Sequence, residues 1–145
     1  MKTYIIILAF TTITMLSQAQ TKSDGILGNW RSDKGNLIVQ VYKEHNEYRA
    51  KSIWFNGKTK PMQIWTDNKN PDPKLRSRKL LGMDILNQLR YDPFNDEWVD
   101  GNIYDPTSGK TWQSVVWLQN KNTLKVKGYW LMRFLSKTMT FTKVL

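Results

Sequence analysis

Eight short runs of alternating apolar and polar residues, each ended by a turn signal, fill the chain from residue 26 to residue 144. This pattern limits the fold more than anything else in the sequence, because period-two alternation suits strands with one buried face. The runs lie at 26–32, 37–43, 48–55, 83–90, 98–104, 110–118, 123–131 and 137–144, the fourth also being compatible with a short helix. Breaks come at Asp33-Lys34-Gly35-Asn36, Glu44-His45-Asn46-Glu47, Asn56-Gly57, Asp92-Pro93, Asp105-Pro106-Thr107-Ser108-Gly109 and Gln119-Asn120-Lys121-Asn122. The seventh run alternates clearly, with Leu124, Val126, Gly128 and Trp130 on one face and Lys125, Lys127 and Tyr129 on the other. Strands this short and this evenly spaced predict an all-β, eight-stranded antiparallel up-and-down barrel, since closure removes both exposed edges. One long loop excursion, at 58–82, separates the third and fourth strands, and the pattern shows neither a repeat nor a domain boundary.

Seven tryptophans are distributed over this pattern. A barrel of eight strands is just wide enough to be filled by its own side chains or to hold one small ligand. So many large rings predict core tryptophans and a largely filled interior, with at most a modest pocket.

The first residues read differently. Met1-Lys2 is a basic start, residues 4–16 carry no charge, and Ser17-Gln18-Ala19 has the small residues of a cleavage site. This layout predicts a signal peptide at 1–19 and a single mature domain at 20–145, exported to the periplasm or the medium. The apolar run falls short of the roughly 20 residues a spanning helix needs, so no transmembrane segment is expected after cleavage. The chain has no cysteine, which excludes both a lipid-modified cysteine anchor and disulfides. The domain must therefore rest on burial alone. Its charge is strongly basic: 22 Lys and Arg stand against 12 Asp and Glu, and +9 of the formal +10 remains once Lys2 is removed. That balance favours an anionic small molecule or an anionic envelope component as partner, nucleic acid being excluded by export.

The long excursion contains Trp65-Thr66-Asp67-Asn68-Lys69-Asn70-Pro71-Asp72-Pro73-Lys74-Leu75-Arg76-Ser77-Arg78-Lys79-Leu80-Leu81-Gly82, which fits neither a strand nor a helix. Loops of this length in compact domains are commonly functional or disordered. Together with Ile26-Leu27-Gly28-Asn29-Trp30, with residues 101–112 from Gly101 to Trp112, with 124–129 and with Phe141-Thr142-Lys143, it resembles the signature of a family of small exported bacterial proteins catalogued as the "2147" domain of unknown function. The resemblance covers the whole mature domain. It implies a lipocalin-like barrel of the calycin group, in which Gly28 and Trp30 on the first strand and Lys143 on the last provide barrel closure. The family's terminal Trp-Thr-Arg is Phe-Thr-Lys here, which keeps a cation over the indole but loses the planar stacking of arginine.

Six residues are candidate ligand contacts: Asp67, Asn70, Asp72, Arg76, Arg78 and Tyr104. Arg76 and Arg78 could form a fork for a carboxylate or phosphate at the barrel mouth. Alternatively Asp67 and Asp72 are internal partners of the two arginines, with the Asn-Pro-Asp-Pro stretch supplying turns. A calcium site is not indicated, because Pro71 interrupts the spacing an oxygen-ligand loop needs. No catalytic residue, metal ligand set or cofactor is assigned. The single histidine, His45, lies in a polar turn, and no nucleophile with a paired base can be read from the spacing. Asp92, Asp96, Glu97 and Asp100 read as a solvated acidic turn region. The function expected is an exported binding module for a small amphipathic or anionic ligand at the barrel mouth. The alternative is an envelope interaction protein docking through its basic surface on polysaccharide or another protein.

Overall fold

The computed structural model describes residues 22–129 and 136–145. The expected signal peptide, Trp130 and Leu131 lie outside the described residues. Eight strands follow one another: β1 (Gly28–Ser32), β2 (Leu37–Glu44), β3 (Glu47–Phe55), β4 (Asp84–Asp92), β5 (Glu97–Asp105), β6 (Lys110–Asn120), β7 (Thr123–Tyr129) and β8 (Ser136–Val144). Each pairs antiparallel with the next, and β8 returns to β1 to close the barrel. The segment compatible with a short helix is strand β4.

Strand alternation sorts the side chains. Val39 and Val41 of β2, Tyr48 and Ala50 of β3, Leu86 and Leu89 of β4, Val116 of β6, Leu124 and Val126 of β7 and Phe141 of β8 are all buried in one cluster. Bulges keep this inner set in phase where a strict period of two would slip it outward. Between β2 and β3 the register jumps, so that Val39 faces Ser52 while Ile38 faces Trp54. Phe55, opposite Leu37, therefore shares the inner face and Trp54 the outer one.

One end of the barrel is plugged. A single 3-10 turn at Asp24–Ile26 sits beneath the strands, with Ile26 buried. Trp30 Nε1 donates to Ile26 O at 2.8 Å, Trp98 Nε1 donates to Ser23 O at 3.0 Å, and the Tyr48 hydroxyl donates to Asp24 Oδ1 at 2.7 Å. That last bond is the main reason the Asp24 carboxyl titrates below its ordinary value. Two indole N–H groups thus enter the core with partners, as buried tryptophans require. The β1–β2, β3–β4 and β5–β6 connections lie at the opposite end, the open one by contrast, where the 3-10 turns Met62–Ile64 and Pro73–Leu75 bury no residue.

The tryptophans correct the expectation of a core built from them. Trp30 and Trp98 are fully buried, whereas Trp54 is 36% exposed and Trp65 37%. Trp112 and Trp117 are half-buried. The physical reason is placement: Trp54 lies on an outer strand face and Trp65 in the loop, so alternation and chain path leave them outside.

Candidate functional site

Two regions of the open end hold the candidate residues. The first is the loop between β3 and β4, which folds around a carboxylate. Asp67 has no solvent exposure. Its Oδ1 accepts the Tyr104 hydroxyl at 2.6 Å, and its Oδ2 accepts Asn70 Nδ2 at 2.7 Å and Arg78 Nη2 at 2.7 Å. Burial by itself pushes the Asp67 pKa up, but the three donors and the Arg78 charge outweigh it and hold the group below its ordinary value. The same contact, added to burial, pushes Tyr104 up to about 12.

Backbone bonds complete the loop. Asp67 N donates to Arg78 O at 2.9 Å, Asn70 N to Asp67 O at 2.9 Å and Leu80 N to Trp65 O at 3.0 Å. Thr66 and Lys79 form an isolated antiparallel bridge. Asn70 Oδ1 accepts the Asp72 N–H at 2.9 Å, and Asp72 Oδ1 accepts the Lys74 N–H at 3.0 Å, which starts the 3-10 turn Pro73–Leu75. The Asn-Pro-Asp-Pro stretch works as successive side-chain-capped turns, the chemistry these residues favour. Gly109, in the β5–β6 turn at φ +71°, lies so close to this loop that a Cβ there would fall 2.1 Å from Lys69 O.

Of the six candidate contacts, the structure brings Asp67, Asn70, Arg78 and Tyr104 into one cluster. Asp72 does not pair with an arginine; its carboxylate caps its own turn. Arg76 is exposed and its Nε donates to Asn70 O at 2.8 Å. The cluster is on the outer wall. Tyr104 faces Thr111 across β5–β6, whereas Ile103 on the inner face meets Trp112. The arginines therefore do not form a fork over the lumen: strand parity turns Tyr104 outward, and the Asp67 carboxylate that it shares with Arg78 goes with it.

The residues assigned to barrel closure meet at the wall. Gly28 adopts φ +119°, Lys143 Cε is 3.5 Å from where its Cβ would stand, and Lys143 Nζ lies 5.2 Å from the centroid of the Trp30 ring.

The second region was missed by sequence reasoning. A row of small residues crosses the inner wall from β5 to β8: Gly101 pairs with Ser114, Ser114 with Gly128, and Gly128 with Lys137. Lys137 shares its face with Met139 and Phe141, which pack in the core, so the register places it on the inner wall near the open end. It has no ion pair among the described residues, although it lies near enough to Asp105 to help lower that carboxyl, whose burial is offset mainly by bonds from Thr107 and Ser108. Ser114 is fully buried and its Oγ has no hydrogen-bond partner. Leu89 closes over Gly101, where a Cβ would meet its Cδ2 at 2.6 Å, but at Gly128 the nearest side-chain atom would be 3.8 Å away. The one sequence signal was Gly128, a glycine on the apolar face of an otherwise regular strand, which marks a close approach or a space.

Among the described residues, no group of three His, Cys, Asp or Glu could hold a metal ion. No helix among them is long and apolar enough to cross a membrane.

Comparison with known proteins agrees with this geometry. A family described as "Uncharacterized protein conserved in bacteria (DUF2147)" matches residues 28–143. No curated protein matches the chain. Among solved structures, protein HP1028 from Helicobacter pylori, described as belonging to the lipocalin family, superposes with a TM-score of 0.71 at 23% identity, covering 83% of each chain. The likeness extends the resemblance in sequence to the fold itself.

Proposed function

The chain belongs to this family of bacterial proteins and has a lipocalin-like barrel, and from that premise we propose that it is an exported binding protein, not an enzyme, whose barrel takes one small amphipathic anion. Export is supported by the basic start, the uncharged run and Ser17-Gln18-Ala19. A non-catalytic role is supported by the absence of cysteine and by a sole histidine in the β2–β3 turn.

The observation that carries the reading is the inner-wall row ending at Lys137. An apolar tail would lie against Ile103, Trp112 and Gly128, where a Cβ would fit without clash, in ordinary contact with Trp112 Cβ at 3.8 Å and Ile103 Cδ1 at 4.0 Å. Its acid group would meet the Lys137 ammonium near the open end. The Ser114 Oγ is buried without a partner where Gly101 and Leu89 meet, which costs about 1–3 kcal/mol and makes it a polar point on an otherwise apolar wall. The Asp67 cluster then holds the long loop against the outer wall rather than touching the ligand, which leaves Arg76, bonded to a carbonyl and not to a carboxylate, as the loop arginine that an anion could still approach.

Titration with a dansyl-labelled fatty acid tests this. Saturable, blue-shifted emission is expected, with binding weakened at least tenfold in Gly128→Leu, which fills the space, and severalfold in Lys137→Gln. The corresponding dansyl-labelled alcohol should bind the wild type and Lys137→Gln alike. Equal binding of the acid by all three proteins, or none at all, would remove the lumen from consideration.

A further inference from the structure

The open end carries a second feature, on the outside of the barrel and independent of the lumen. Residues 54–62 frame a shallow, wide-open groove of about 450 Å³, lined by Trp54 and Phe55 at the end of β3 and by the following turn through Met62. The groove is built, not slack. Lys60 N donates to Gly57 O at 3.2 Å, and Asn56 N reaches across to Asn36 O at 3.0 Å. Trp65 Nε1 donates to Lys60 O at 3.2 Å. That bond uses the indole N–H of Trp65 but leaves 37% of the residue exposed, and Trp54 is 36% exposed, with Ile64 nearby at 53%.

The segment that lines the groove carries charge of one sign. Residues 48–66 contain Arg49, Lys51, Lys58 and Lys60 and no aspartate or glutamate. Arg49 is consumed by Glu44, Glu47 and Asp84, and Lys51 lies over the Tyr42 ring at 5.2 Å. Lys58 and Lys60, both exposed, have no ion pair among the described residues and line the groove itself. Large aromatic side chains left exposed beside unpaired cations mark recognition surfaces.

We propose that this groove binds a short stretch of acidic saccharide, with Trp54 and Trp65 stacking on the apolar faces of sugar rings and Lys58 and Lys60 pairing with the carboxylates. The lining is more polar than apolar and carries two cations, which suits hydroxylated rings with carboxylates, whereas a membrane surface would need a contiguous apolar patch. The amide of Asn56 and the hydroxyl of Thr59 stand in the same lining and match sugar hydroxyls.

Calorimetric titration of the purified protein with oligogalacturonate tests the proposal, with a neutral malto-oligosaccharide and anionic phospholipid vesicles as comparison probes. Binding of the acidic oligomer is expected, weakened at least tenfold in Trp54→Ala and in Lys58→Gln/Lys60→Gln, lowered by added salt and unchanged in the lumen variant Gly128→Leu. Lys58 and Lys60 are exposed, so their variant should melt near wild type, whereas Trp54→Ala also removes packing from a ring that is only 36% exposed. Trp54→Phe keeps a stacking ring and should retain most of the affinity, separating loss of contact from loss of fold. Absence of binding, undiminished binding by the Trp54 and lysine variants, or binding to vesicles with the saccharide inert would each overturn it.

Discussion

Replacing Arg78 by alanine should loosen the long loop by about 2 kcal/mol, and Arg76→Ala by half of that or less. Arg78 donates one charge-assisted hydrogen bond to the fully buried Asp67 carboxylate at 2.7 Å. Bonds to charged groups contribute about 1.5–3 kcal/mol. The Arg78 side chain is 39% exposed, so solvent screening puts this one near the lower end of that range. Its guanidinium also lies 5.9 Å from the Tyr104 ring centroid, adding about 0.5 kcal/mol. Tyr104 and Asn70 still donate to Asp67 in the variant, which keeps the loss below the roughly 3–5 kcal/mol of a stranded buried charge. Arg76 loses a single bond to the Asn70 carbonyl from an exposed side chain. Because a loop can open without global unfolding, the readout is native-state amide exchange at Asp67, Asn70 and Leu80, whose N–H groups bond within the loop. A loss of 2 kcal/mol corresponds to exchange about 30-fold faster. A double-mutant cycle with Asp67→Asn should return most of the Arg78 effect as coupling between the two. Wild-type exchange in Arg78→Ala, or an equal effect in Arg76→Ala, would refute the assignment of Arg78 as the partner of Asp67.

Other outcomes follow from the same contacts. Trp30→Ala should cost about 3–5 kcal/mol in urea unfolding, because the ring is fully buried and its N–H bonds Ile26 O; an unchanged midpoint would place no packing weight on it. Tyr42, Tyr91 and Tyr104 are pushed up to about 12 by burial and carboxylate partners, so absorbance should show them ionising well after a free phenol. The stability that Tyr104 contributes is then complete below about pH 10 and is lost as pH rises towards 12, while that of Asp67, whose pKa is lowered, is present above about pH 4 and fades as pH falls. Exchange at the Asp67 amide should be slowest between these limits, and a flat profile would contradict both directions. Gly109→Ala should destabilise by more than about 1 kcal/mol in thermal melts, since it adds a Cβ at φ +71° against Lys69 O. Export predicts a mature chain beginning at Gln20 in protein taken from its native host, which intact mass would show; retention of residues 1–19 would contradict it.

The sequence by itself determined the strands and their order. Period-two patterning is a local property, so the limits of β2, β5 and β6 could be read to within a residue or two, and turn residues such as Asn56-Gly57 and Asp105-Pro106 marked where each strand had to stop. It also showed that Asp67, Asn70 and Arg78 belonged to one specified loop. What it left open was orientation. The bulge between β2 and β3 decides that Phe55 and not Trp54 turns inward, and such a one-residue shift leaves no mark in composition. Tyr104 and Ile103 are neighbours in the chain, yet closure of the barrel sends one to the Asp67 cluster and the other to the lumen. Gly101, Ser114, Gly128 and Lys137 come from four strands and form a row only through interstrand register. That register is a property of the closed sheet, which is why the lumen row emerged only from tertiary structure.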